Sequence, residues 1–136
     1  MARILGIDYG LKRVGVAATD PLQIIAAPLD TIGTPQILNF LKQYCSEEPV
    51  ECIVIGEPKR LNGEDADILP TIRQFAEKLQ KLLPNVQIAW QDERYTSFEA
   101  KQVMLKAGFK KKQRQDKGLT DKISAAIILQ AYLQAL

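Results

Sequence analysis

The chain has 136 residues, 46% of them hydrophobic and 25% charged, with a formal net charge of +2. That length and makeup suit one globular domain spanning residues 1–136, large enough to bury a core without disulfides or a structural metal. There is no histidine, and the two cysteines, Cys45 and Cys52, form no Cys-x-x-Cys pair, which excludes Ser-His-Asp and Cys-His catalysis and His-ligated zinc and leaves carboxylates, lysines, arginines or bound ions to supply any chemistry.

Taken in chain order, Arg3–Asp8 reads as a buried strand, and Gly10 starts a turn into a second strand over Arg13–Thr19. There Val14, Val16 and Ala18 alternate with Gly15, Ala17 and Thr19. Ile24–Ile32 gives a third strand, in which Pro28 must fall at an edge or a bulge because it cannot donate to a ladder. After Gly33 the period changes: Ile37, Leu38, Leu41, Tyr44 and Cys45 share one helical face, and Glu51–Gly56 forms a short apolar strand. Ile68, Ile72, Phe75, Ala76, Leu79, Leu82 and Leu83 mark a second amphipathic helix that stops at Pro84-Asn85, and Val86–Gln91 is the fifth strand.

Thr96 and Glu99 form a capping box for a helix carrying Ala100, Val103, Met104 and Ala107, with Gly108 as its stop. The last helix begins near Thr120 and is apolar on nearly every side, so the rest of the domain must cover it. The expected order is βββαβαβαα, three antiparallel strands and then two strands joined by helical crossovers that favour parallel pairing. That is an α/β layered domain. No apolar run approaches about 18 residues and the N-terminus has no signal-peptide core, so no membrane partner is expected and the cytoplasm is the expected location.

Basic charge gathers in one segment, where Lys106, Lys110, Lys111, Lys112, Arg114 and Lys117 outweigh Asp116 and the remainder of the chain is net acidic. A run of this kind can neutralise several phosphates and make binding strongly salt-dependent. It offers no base-reading code, so recognition by shape or structure is expected.

Three acids in distant parts of the sequence invite a joint reading. Asp8 ends the first strand, Asp92-Glu93-Arg94 ends the fifth, and Asp121 opens the last helix. Parallel first and fifth strands deliver their acids to one carboxyl edge, the usual place for sites in open α/β sheets. Converging carboxylates repel one another unless a cation lies between them, and Mg²⁺ or Mn²⁺ prefers such hard oxygen ligands. Taken singly, Asp8 could equally shape a turn, Glu93 could pair with Arg94, and Asp121 could favour the helix dipole.

The string Gly6-Ile-Asp-Tyr-Gly-Leu-Lys-Arg-Val-Gly-Val-Ala17 resembles the opening motif of the YqgF/RuvX family, nucleases likened to Holliday junction resolvases or assigned to ribosomal RNA precursors. Val54-Ile-Gly-Glu-Pro-Lys with Asn62-Gly63, Asp92-Glu-Arg-Tyr-Thr-Ser97 and Asp121-Lys-Ile-Ser-Ala-Ala-Ile-Ile-Leu-Gln130 resemble the family's further elements in the same order. The resemblance implies a ribonuclease H-like fold with a mixed five-stranded sheet. It also implies a hydrolase that uses Mg²⁺ or Mn²⁺ to cut structured nucleic acid, foremost the 5′ end of pre-16S ribosomal RNA. The alternatives are a junction-resolving DNA endonuclease and a non-catalytic nucleic-acid-binding module.

By the same resemblance Asp8 is the bridging metal ligand, Glu93 a ligand or positioner of water, and Asp121 the outer ligand. Lys12, Arg13 and Arg94 are expected on phosphates near the scissile bond, and Lys110, Lys111, Lys112 and Arg114 on flanking backbone. In related resolvases the second acid comes from the end of the fourth strand, which here is Glu57. The sequence leaves open whether Glu57 or Asp92 joins the site, and whether the chain acts as a monomer or a homodimer. An actin-like ATPase or sugar kinase shares the Asp-x-Gly opening, but no Gly-x-x-x-x-Gly-Lys-[Ser/Thr] loop is present.

Overall fold

A computed structural model describes residues 2–59, 66–93, 102, 105–108 and 116–136. The Asn62-Gly63 element, Arg94, Thr96, Ser97, Glu99, Ala100, Val103, Met104, Lys110, Lys111, Lys112 and Arg114 lie outside the described residues. Within them, β1 (Arg3–Tyr9), β2 (Arg13–Thr19) and β3 (Ala26–Gly33) lead through a 3-10 turn (Thr34–Gln36) into α1 (Ile37–Glu47). Then follow β4 (Val50–Glu57), α2 (Leu69–Leu82), β5 (Gln87–Asp92) and α3 (Lys117–Gln134). The sheet runs in the order β3-β2-β1-β4-β5, with β1–β2 and β2–β3 antiparallel and β1–β4 and β4–β5 parallel. This is the three-plus-two arrangement expected from the period changes.

Alternation along each strand divides the core in two. Leu5 and Ile7, Val14 and Val16, and Ile53 and Ile55 pack against Ile37 and Leu41 of α1 and against Leu69, Ile72, Phe75 and Leu79 of α2. On the opposite face Ile4, Ala17, Cys52 and Val54 meet Ala125, Ile128 and Leu129 of α3. Both cysteines are free thiols, Cys52 buried in this second layer and Cys45 half-buried on α1.

Two differences from the sequence expectations have local causes. The third strand starts at Ala26 rather than Ile24, because the Asp20 carboxylate accepts the backbone N–H groups of Leu22, Ile24 and Ile25 at 3.2, 2.8 and 2.8 Å. Gln23 is held with φ 61° inside that turn, and the same N–H groups hold the Asp20 carboxyl below its ordinary pKa. Pro28 falls at the sheet edge, beside the register shift at Val16/Ala17. The last helix begins at Lys117, three residues before Thr120, since Asp116 is the N-cap and accepts the Leu119 N–H at 3.1 Å. It is buried along Ile123, Ser124, Ala125, Ile128 and Leu129, while Ala126, Ile127 and Leu133 are only half-covered. Gly108 has φ 79° and donates its N–H to the Leu105 carbonyl at 3.1 Å, as a helix stop requires.

The close seating of α3 depends on missing side chains. A Cβ on Gly6 of β1 would lie 2.7 Å from Leu129 Cβ and 2.8 Å from the Ala125 carbonyl, and one on Gly15 of β2 would run into the Asp121 carbonyl. Glycine inside a strand marks just such a close approach of another backbone. α3 therefore crosses β1, β2 and β3 in direct contact and carries Asp121 to the mouth of the sheet.

Candidate active site

Tyr9 fixes which way the end of β1 points. Its ring packs on Phe75 of α2 with centroids 4.7 Å apart, so the alternating neighbour Asp8 faces the α3 side. Two glycines flank Asp8 on that side. Gly15 is its registered partner on β2, beneath the Asp121 backbone. On β4, Gly56 follows the registered pair Ile7–Ile55, and a Cβ there would lie 2.9 Å from Glu93 Cδ and 3.0 Å from Glu93 Oε2. Each neighbouring strand thus leaves room for one more acid beside Asp8. The Glu93 backbone is placed by its N–H, which donates to the Glu57 carbonyl at 3.2 Å and extends the parallel ladder past the strand end.

Asp8 and Glu93 meet. Burial is the main reason that both carboxyls titrate well above their ordinary range, Asp8 near 7 and Glu93 near 9. For Glu93 the Asp8 charge, the mutual hydrogen bond and the Asp92 charge push the same way. For Asp8 the hydrogen bond from Glu93 lowers the value and the Asp121 charge raises it. Two buried carboxyls packed this closely suit a hard divalent cation in place of a proton.

Asp121 is engaged elsewhere. Its Oδ2 accepts from Arg13 Nε at 2.9 Å, with the two side chains 26% and 38% exposed. A half-exposed pair of this sort contributes about 0.2–1 kcal/mol. Accordingly, among the described residues no three Asp, Glu or Cys side chains are arranged to cage an ion as they stand. Ser124 Oγ, one turn along α3 from Asp121, is buried without a hydrogen-bond partner among the described residues. Asp8, Lys12, Arg13, Lys117 and Asp121 line one open cavity of about 440 Å³.

Glu57 and Asp92 point the other way. Glu57 shares parity with Ile53 and Ile55, approaches Lys59 Nζ at 3.3 Å, and lines a cavity of about 390 Å³ with Arg73 and Gln80 of α2 and Trp90. Asp92 is its registered partner on β5. Both carboxyls therefore belong to the α2 side of the sheet. Sequence reasoning missed Gly15, Gly56 and Ser124. The signal for the glycines was present in part, since each interrupts an otherwise apolar strand, although only the strand pairing brings Gly15 beside Asp8.

The strand order, the acid at the end of the central strand and the helix laid across the small-residue face define a ribonuclease H-like domain. The structure of Thermus thermophilus RuvC in complex with Holliday junction substrate shares this fold. Its TM-score is 0.60 at 16% identity, over 99% of this chain and 95% of that one. The chain belongs to the RuvX family, whose model, described as Holliday junction resolvase, matches residues 2–135. Among its relatives, a Phocaeicola vulgatus protein named "Putative pre-16S rRNA nuclease" is 50% identical over 135 residues, 99% of this chain and 97% of that one. A protein of the same name from Porphyromonas gingivalis is 50% identical over 133 residues, covering 98% and 96%.

Proposed function

We propose that this protein is a divalent-metal-dependent nuclease that hydrolyses phosphodiester bonds in structured RNA, acting on the 5′ end of pre-16S ribosomal RNA in the cytoplasm. The observation that carries this reading is the meeting of Asp8 and Glu93 over Gly56, with the Asp121 backbone seated over Gly15 on the other side of Asp8. Family membership and the names of the relatives support the substrate.

Asp8, Glu93 and Asp121 would hold Mg²⁺ or Mn²⁺, which when bound supplies an activated water and stabilises the leaving oxygen. The chain's own part is to position and to screen. Glu93 is placed through its backbone and Asp8 is turned to the α3 side by the Tyr9–Phe75 contact, which limits how far either carboxyl must move to meet a cation. Lys12, Arg13 and Lys117 ring the cavity with positive charge where a phosphate would enter. Arg94 is assigned to the neighbouring phosphate, and Lys110, Lys111, Lys112 and Arg114 to flanking backbone, on sequence grounds.

The test is cleavage, with Mn²⁺ present, of an RNA spanning the 5′ end of the 16S precursor and, separately, of a four-way DNA junction. The wild type should cut the RNA, and Asp8→Asn should lose at least about a thousandfold in rate. Equal cutting by both proteins would overturn the site. Preferential cutting of the junction would move the substrate from RNA to DNA, and binding of either without cutting would make this a non-catalytic binding module.

A further inference from the structure

The Arg13–Asp121 ion pair joins the first residue of β2 to the first turns of α3, across 108 positions of sequence. Its simplest function would be to dock the helix, yet the helix is docked without it. The Asp121 carbonyl already rests on Gly15, the Thr31 hydroxyl donates to the Gly118 carbonyl, and Ala26 N–H donates to Gln130 Oε1 at 3.3 Å. Among the described residues the guanidinium pairs with the Asp121 carboxylate. Each of the three acids thereby has a partner: Asp8 and Glu93 have each other, and Asp121 has Arg13.

We propose that Arg13 is a resident cation for Asp121, which gives up the carboxylate when a divalent ion is taken up and then holds a substrate phosphate in the same cavity. The proposal rests on the metal-site reading above. Three features of the structure support it. Both side chains are partly open to solvent, so an incoming ion can reach them. Both line the cavity that also contains Asp8, so a short swing keeps Arg13 within the site. An arginine presents a planar fork of donors that matches a carboxylate and a phosphate equally well, so one side chain can serve both partners in turn. Ion loading and phosphate binding are then linked: nucleic acid meets the full set of cavity cations only once the acids are occupied.

Calorimetric titration of the intact protein with Mn²⁺ alone tests this without recourse to cleavage. Arg13→Gln should bind Mn²⁺ about 1.5- to fivefold more tightly than wild type, the range set by the strength of a half-exposed pair. Arg13→Lys, which keeps the charge, should stay close to wild type. In an Asp121→Asn background the gain from Arg13→Gln should vanish, because the two positions act through one interaction. Circular dichroism and thermal melting of each variant report whether α3 remains docked. Unchanged or weaker Mn²⁺ binding by a folded Arg13→Gln protein would overturn the proposal and make Arg13 a fixed support for Asp121. Failure of every protein, wild type included, to bind Mn²⁺ would overturn both this proposal and the metal-site reading on which it rests.

Discussion

Against α1 and α2 the sheet presents Leu5, Ile7, Val14, Val16, Ile53 and Ile55, all fully buried, whereas against α3 it presents Gly6, Gly15, Ala17 and Gly56 near its carboxyl edge. The first face gains stability from volume, at about 1.5–3 kcal/mol for each large aliphatic side chain removed from water. The second gives up part of that gain so that a helix backbone and two further carboxylates can approach Asp8. The alternation of each strand thus places the larger aliphatic core on one face and the proposed site, beside a smaller core of Ile4, Cys52 and Val54, on the other.

Substitutions that exploit this separation should produce opposite signatures. Leu79→Ala, on the first face, opens a cavity under α2 and should cost about 2–5 kcal/mol in denaturant unfolding while leaving the turnover of the folded fraction nearly intact. Gly56→Ala, on the second, adds one methyl against Ile128 Cδ1 at 2.7 Å and the Glu93 carboxyl. It should cost only about 1–2 kcal/mol. Cleavage should nevertheless fall about 10- to 100-fold, because Glu93 is displaced. If Gly56→Ala proved as active as wild type, the two faces would not be separable in this way.

Acidity provides a third comparison. In chelated protein the folded values near 7 for Asp8 and 9 for Glu93 stand above the ordinary 3.8 and 4.5. The folded state therefore binds more protons than the unfolded chain between about pH 4 and 9, and the pair's contribution, fully present at the acid end, is lost as pH rises through that window. Calorimetric melting temperatures should fall from about pH 5 to pH 9, and Asp8→Asn should flatten the slope. Leu79→Ala should lower the whole curve without changing its shape. The smallest effect is expected from Glu57→Gln, which lies on the α2 side of the sheet and should leave cleavage at the wild-type rate.

Much of this was legible from residue order. The switch of period at Gly33, the Pro84-Asn85 stop and the strand ending in Asp8 located the elements to within a residue or two, because each depends on neighbours close in sequence. Spacing alone did not separate Asp92 from Glu93, and the family resemblance was what pointed to Glu93. Both follow the same strand, and only the packing of Tyr9 and the ladder bond from Glu93 to Glu57 show which side each occupies. Arg13 was read as a phosphate contact, and nothing near it in sequence announces Asp121. The start of the third strand was hidden for a smaller reason, since Ile24 and Ile25 look like strand residues until Asp20 takes their N–H groups.

The placement of Asp121 on α3 also bears on biosynthesis. The strands and both helices of the first face precede residue 93, so most of the core can assemble while the ribosome is still adding the remaining residues. The third acid arrives only with the final helix, whose seat on Gly6 and Gly15 is already made. On the proposed reading, a nascent chain would lack its full set of acids until residue 121 has been added.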